Sequence, residues 1–338
     1  MADITIKDVA KCAGVSTATV SRVINGAIGV RPKTVERVNK AIAQVNYVPN
    51  AAARNLKTDT TKMIGLLISN ISNSHFTSMA KIIETILHKD GYSMVVCSTD
   101  DDPNLELDYL SRLMSLRVDG LILNTTGQND DFISGLSHNL PIALVDRSIT
   151  TPNFLGDFVG SNNFEGVYAL TKHLIGYGHR KIGIITSNLH VSTGQERLSG
   201  FQKAMLEIGI SVDGAYPYRY DSQYFNIEGG VEGCRYLMSL KTPPTAIVVA
   251  NNTMAVGVYT YLHDNHILTP DDVSVVSYGN ISNSELFRTE PTYATLSPYF
   301  IGEKAAKLLL SRIEDPTRSN REVIFEPFLV VNESTRSL

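Results

Sequence analysis

The chain has 338 residues, 43% of them hydrophobic, and a net charge of −4 from 30 lysines and arginines against 34 acids. That length and composition predict two or three domains with buried cores and exclude a largely disordered protein. No stretch approaches the roughly 18 uncharged apolar residues of a membrane span. The first residues, MADITIKDVAKCAGV, carry charges where a signal peptide would be apolar, so a cytoplasmic protein is expected. Three scattered cysteines, Cys12, Cys97 and Cys234, match neither a disulfide framework nor a metal motif, and no cofactor is expected.

The mean charge hides an asymmetry. Residues 1–60 hold nine bases and four acids, a net of +5, which leaves −9 for the remainder. A basic head on an acidic body is the pattern of a polyanion-binding module joined to something else, although a solvated lysine-rich helix surface gives the same count.

In chain order, Thr5 can cap a helix that begins at Ile6, with Asp8 near its positive end and Val9, Ala10 and Ala13 on one apolar face. Gly14 is a natural left-handed stop. Ser16 can cap a second helix from Thr17 to Asn25, with Val20, Val23 and Ile24 inward. Pro32 suits the first turn of a third helix, whose stripe of Val35, Val38, Ile42 and Val45 closes a three-helix core. Two short helices about a glycine turn predict a helix-turn-helix. The second helix would present Thr17, Ala18 and Arg22 to a major groove, where an arginine can bond O6 and N7 of one guanine. Ser16, Thr19, Ser21, Asn25 and Thr34 are short polar groups suited to phosphate contacts. A plain helix cap at Ser16 and a solvated arginine at 22 are the competing readings.

The run from Thr5 to Lys57, with its DVA…AGVS…TVSRV.N and NY.PN.AAR.L blocks, resembles without a gap the DNA-binding head and hinge of the LacI/GalR family of bacterial transcription regulators. The resemblance implies base contacts at Thr17, Ala18 and Arg22. It also implies a hinge helix over Asn50–Lys57 that forms on operator DNA, with Ala53 and Leu56 as a minor-groove wedge. Thr5, Lys33, Tyr47, Asn50 and Lys57 complete the candidate phosphate contacts. An eight-residue helix is too short to persist alone in water, and simple packing of Leu56 stays open as the other reading.

Beyond Thr60 short Val- and Ile-rich runs alternate with amphipathic stretches. The runs span 63–69, 92–98, 120–124, 141–146, 181–187, 246–251 and 273–279, with helix-like segments such as FTSMAKIIETILHKDG and GVYALTKHLIGYGHRK between them. That alternation predicts an α/β fold with parallel sheets covered on both faces, in two lobes, with ligands beyond the carboxyl ends of the strands. The body resembles the same family's effector-binding core, which is similar to the periplasmic sugar-binding proteins. The expected organisation is a helix-turn-helix head at 1–48, a hinge at 49–60 and a core at 61–338. Three crossings near 160, 290 and 323 divide that core into an N-lobe (about 61–160 and 291–323) and a C-lobe (about 161–290 and 324–338).

The resemblance places effector contacts at Asp146, Arg197 and Asn251, a carboxylate, a guanidinium and an amide for vicinal hydroxyls. His75 and Phe76 can add a polar contact and a stacking face, and Arg147 and Gly279 complete the set. An Asp146–Arg197 pair, or Asn251 as a helix cap, is the structural alternative. The sequence departs from the family pattern twice: Asn251-Asn252 stands for the usual Asn-Asp, and Ser277-Tyr278-Gly279-Asn280 for the usual Gly-[Phe/Tyr]-Asp-Asp. Fewer acids with Arg147, Arg197 and His75 nearby point toward a sugar acid or sugar phosphate.

Nucleophile-elbow, phosphate-loop and His-Glu-x-x-His motifs are missing from the sequence. The expected function is a non-enzymatic regulator, a repressor controlled allosterically by a small molecule. A cytoplasmic small-molecule-binding protein, or a sugar-active enzyme with an accessory DNA-binding head, is the alternative. One head has a small footprint, so a homodimer on a palindromic operator is expected. Tyr92, Leu110 and Met114 are candidate interface residues, which core burial explains equally well. Without a leucine heptad tail, a coiled-coil tetramer is not expected.

Overall fold

The computed structural model describes residues 4–24, 29–47, 60–295 and 297–338. The chain divides into two compact units, residues 1–61 and 62–338. The hinge residues Asn50, Ala53, Leu56 and Lys57, and the phosphate contact expected at Asn25, lie outside the described residues.

The first unit is three helices: α1 (Ile6–Ala13), α2 (Thr17–Ile24) and α3 (Pro32–Gln44). The Asp8 carboxylate accepts the Thr5 backbone N–H and hydroxyl, both at 2.8 Å, and these hydrogen bonds hold its pKa below the usual value. Gly14 ends α1 in the left-handed conformation at φ 60°, and the Ser16 hydroxyl accepts the Thr19 N–H at 3.2 Å to start α2. Val9, Ala10, Ala13, Val20, Val38 and Ala41 form the core, against which Val23, Ile24, Ile42 and Val45 pack. Val35, expected in the α3 stripe, is only half-buried, and Ala41 takes the core position instead.

The second unit carries two six-stranded sheets. The first is built from β1 (Met63–Ile68), β2 (Ser93–Ser98), β3 (Gly120–Leu123), β4 (Ile142–Val145), β5 (Asp157–Ser161) and β11 (Glu322–Phe325), in the order β11-β5-β4-β3-β1-β2 and parallel throughout. The second holds β6 (Ile182–Ser187), β7 (Arg219–Ser222), β8 (Ala246–Val249), β9 (Ser274–Tyr278), β10 (Thr292–Thr295) and β12 (Phe328–Val330), in the order β12-β10-β9-β8-β6-β7, with only β10 and β12 antiparallel. Helices α4 (Ser74–Lys89), α5 (Pro103–Ser115), α6 (Asp130–Ser137) and α11 (Pro298–Glu314) accompany the first sheet. Helices α7 (Asn163–Gly176), α8 (Ser192–Leu206), α9 (Ile227–Met238) and α10 (Asn252–Asp264) accompany the second.

The chain leaves the first sheet after Ser161. It returns between Thr295 and Pro298 and leaves again between Phe325 and Phe328. The second and third crossings thus fall later than 290 and 323, because β10 pairs with β9 and β11 pairs with β5. Tyr92 and Leu110 belong to cores of the first lobe, so burial rather than an interface accounts for them, while Met114 is exposed. Among the described residues no helix is long and apolar enough to cross a membrane.

Helices α9 and α10 approach through glycines. A Cβ at Gly230 would lie 2.0 Å from Met254 O, and one at Gly257 would lie 2.0 Å from Ile227 O. Alanine is the better helix former by roughly 0.5–1 kcal/mol, so Gly257→Ala tests the packing by its sign. It is expected to destabilise the core by about 1–3 kcal/mol in urea denaturation.

Asp157 is fully buried. Arg312 Nε and Nη2 each donate to its carboxylate at 3.0 Å, Arg318 adds two further bonds, and the Arg321 N–H donates at 2.9 Å. Burial would raise this carboxyl, but the Arg312 and Arg318 bonds outweigh it and keep it below the usual 3.8. A depressed carboxyl stabilises the fold above its unfolded pKa and loses that contribution as pH falls through the folded value. Asp157→Asn is therefore expected to cost about 3–5 kcal/mol at neutral pH and to flatten the loss of stability below about pH 4, both measured by denaturation across pH.

Candidate functional site: a helix face and an interlobe cavity

In the first unit, Thr17, Ala18 and Arg22 are all exposed on α2, opposite the buried Val20. Ser16, Thr5 and Lys33 are exposed, and Thr19, Ser21, Thr34 and Tyr47 are half-buried. The capping reading of Ser16 holds locally, since its oxygen takes the Thr19 N–H and lies 2.9 Å from the Thr19 hydroxyl. The head thus presents one helix with a free outward face, braced by a core too small to hide it.

In the second unit a cavity of about 860 Å³ lies between the lobes. Its walls come from the residues that follow the strands: Asn73–Phe76 after β1, Asp100–Asn104 after β2, Asn124 after β3, Asp146 and Arg147 after β4, Asn251 and Asn252 after β8, and Gly279 and Asn280 after β9. Parallel strands set every carboxyl end on the same side, which gathers residues distant in sequence. All seven expected effector residues, His75, Phe76, Asp146, Arg147, Arg197, Asn251 and Gly279, line this cavity.

Their partners differ from a simple reading. Asp146 has φ +59°, and its Oδ2 sits 3.0 Å from His75 Nε2 rather than on the Arg197 guanidinium. Burial would raise its carboxyl, but the charge and hydrogen bond of His75, then Arg197 and Arg147, hold it below the usual value. Arg147 is 4% exposed and grips Asp101 through both Nη atoms at 2.5 and 3.3 Å, with a further bond to Thr125 O at 2.9 Å. Arg197 donates from Nε to Asn163 Oδ1 at 2.9 Å and from Nη1 to Ala250 O at 2.8 Å, and its guanidinium lies 4.1 Å from the Tyr278 ring centre. Asn251 caps α10 by accepting the Thr253 and Met254 N–H groups at 2.8 and 3.2 Å, so its amide nitrogen is the part available to a ligand.

This pairing bears on the expected anionic effector. Two of its three cationic groups face carboxylates, His75 with Asp146 and Arg147 with Asp101. The lining holds four carboxylates, Asp100, Asp101, Asp102 and Asp146, against two guanidiniums, so an added anion meets net repulsion. Asp100 and Asp101, like Asp146, have positive φ, at 49° and 59°. Three left-handed aspartates on one cavity wall are a concentration of backbone strain of the kind found at functional sites.

Several lining residues were not singled out from the sequence. Asn124 ends a recognised strand; its Nδ2 bonds Val145 O at 2.9 Å while its buried Oδ1 has no hydrogen-bond partner in the protein. A polar residue at a strand end was the available signal. Ser161 ends β5 and Asn163 follows it, and Phe225 lies in the loop after β7, two strands that the sequence reading did not place. Phe225 stands 5.8 Å from Arg197 and 5.9 Å from Arg147. Together with Phe76 and Tyr278 it gives the cavity apolar faces beside amides and carboxylates, a lining suited to a small polyhydroxylated molecule. Among the described residues no cluster of three or more His, Cys, Asp or Glu is arranged to hold a metal.

Comparison with known proteins agrees with both halves. The pattern of bacterial regulatory proteins of the lacI family matches residues 5–50, and that of a periplasmic binding protein-like domain matches residues 171–335. An HTH-type transcriptional repressor PurR of Photobacterium profundum is 35% identical over 336 residues, covering 99% of each chain. A ribose operon repressor of Haemophilus influenzae is 36% identical over 335 residues, again 99% of each. Among solved structures, the lac repressor dimer bound to operator and the anti-inducer ONPF has a TM-score of 0.85 at 26% identity, covering 99% of both chains. A transcriptional regulator CelR–cellobiose complex has a TM-score of 0.73 at 27% identity, covering 98% of this chain and 99% of that one. With relatives similar from end to end at this level, the chain belongs to the lacI family of bacterial regulatory proteins.

Proposed function

We propose that this protein is a DNA-binding transcriptional repressor whose operator affinity is set by a small molecule held between the two lobes of its core. The observation that carries the reading is the union, in one chain similar throughout to named repressors, of a helix with a free outward face and a polar, aromatic-lined cavity at facing strand ends. Thr17, Ala18 and Arg22 read bases. Thr5, Ser16, Thr19, Ser21, Asn25, Lys33, Thr34, Tyr47, Asn50 and Lys57 meet phosphates. Ala53 and Leu56 enter the minor groove at the operator centre. The footprint of one head calls for a homodimer on a palindrome, acting in the cytoplasm where its DNA lies.

The effector is a sugar or sugar derivative. The cavity charges favour an uncharged one, with Asp146, Arg197, Asn251 and Asn124 meeting hydroxyls and Phe76, Phe225 and Tyr278 the apolar ring face. His75 orients Asp146, and the Arg147–Asp101 pair fixes the floor. Binding that prefers one lobe arrangement changes DNA affinity by that preference, about 1–3 kcal/mol in typical cases.

Binding assays on operator selected from random duplexes test the head. Arg22→Ala is expected to lose roughly 1–3 kcal/mol of preference for operator over scrambled DNA. Lys33→Ala should weaken binding to all sequences alike and reduce the salt slope by about 1. If Arg22→Ala discriminates as the wild type does, the base-reading assignment fails. For the core, calorimetry with neutral pentoses, hexoses and disaccharides beside the matching sugar acids and phosphates is expected to find the tight ligand among the neutral set. Tight binding confined to the acids or phosphates would overturn the neutral assignment.

A further inference from the structure

On the cavity wall the lobes touch through two asparagines. Asn73, the N-cap of α4, donates from Nδ2 to Asn252 Oδ1 at 3.2 Å, and Asn252 at the start of α10 donates from Nδ2 to Asn73 Oδ1 at 3.1 Å. The same Asn252 nitrogen donates to the Asn280 carbonyl at 3.3 Å. Asn73 Oδ1 also takes the His75 N–H at 3.0 Å. The side chain at 252 must therefore donate twice and accept once, which an amide does and a carboxylate does not. Aspartate there would set an anion against two carbonyl oxygens.

Gly279 makes room for this arrangement. A Cβ at 279 would lie 3.1 Å from Asn252 Cβ and 3.4 Å from its Cγ. The backbone at 279 is left-handed, φ +90°, and its N–H bonds Ala294 O at 2.7 Å. Positions 252 and 279 are two of those at which the family pattern has an acid and this sequence does not. The geometry makes the two departures a single device.

We propose that Asn252, seated by Gly279, is a cross-cleft latch. It bridges the N-termini of α4 and α10, so that lobe closure is favoured by the protein's own side chains. The latch gives positions that elsewhere in the family carry acids over to the bridge between lobes. It depends on neither the DNA assignment nor the effector assignment.

Hydrogen exchange read by mass spectrometry and solution X-ray scattering on the full chain test the latch. Asn252→Asp is nearly isosteric and places an acid in the first turn of α10, where the helix dipole favours it, so the fold is retained, as circular dichroism checks. It removes two donated hydrogen bonds and is expected to shift the closed-to-open ratio by about tenfold. That shift is read as faster exchange at amides 73–77 and 253–256 and a larger radius of gyration. Asn73→Asp keeps the α4 cap and still accepts from Asn252 but loses its one donated bond, to Asn252 Oδ1, so it is expected to open less than Asn252→Asp does. The double variant N73D/N252D sets two carboxylates face to face and is expected to open furthest. The latch is overturned if Asn252→Asp matches the wild type in both measurements, or if Asn73→Asp opens as far as Asn252→Asp does.

Discussion

One buried carboxylate ties together the segments that carry the chain between the lobes. Asp157 opens β5, the strand before the first crossing. Arg312 lies on α11, which follows the second, and Arg318 and Arg321 lead into β11, which precedes the third. Removing a carboxylate from water is costly, and only a full set of donors offsets it. With Arg312 and Arg318 bound to it, the three crossings share one anchor in the first lobe.

The cavity follows from that arrangement. Its charges are mostly engaged within the protein: Arg147 with Asp101, His75 with Asp146, and Arg197 with an amide and a carbonyl over the Tyr278 ring. Such a wall is rigid and presents more acceptors than free cations. Two of the three left-handed aspartates, 101 and 146, are held by the ion pairs that define the wall, and Asp100 accepts the Ser98 hydroxyl instead. The Asn73–Asn252 bridge adds a contact between lobes beside this set, at the start of two helices.

The head obeys a different economy of size. Its core consists of six small buried side chains, with α1 stopped by Gly14 and α2 started by Ser16. Because so little is buried, most of α2 stays outside, and the +5 charge of residues 1–60 has surface on which to act. A small basic module and a large acidic core suit the proposed division between recognition of a polyanion and recognition of a small molecule.

Much of this was legible in the sequence because it is local. Helix starts at Thr5, Ser16 and Pro32, the stop at Gly14, and seven strands follow from short-range periodicity and capping chemistry. The strands that escaped, β5, β7, β10, β11 and β12, are three to five residues long, and β7, β11 and β12 sit at sheet edges with none of their residues fully buried. A strand exists by virtue of its neighbour, and an edge strand writes little of that neighbour into its own residues. The residues named for the cavity were reached through strand-end position and family resemblance, and all seven meet there. Their pairing was not legible: nothing near Arg147 in the sequence announces Asp101, and nothing near Asn252 announces Asn73. The sequence by itself determined the two-part design and the polar groups at the strand ends. Only the tertiary structure decided which of those groups neutralise one another, because charge pairing depends on distances of a few ångströms between segments up to 179 positions apart.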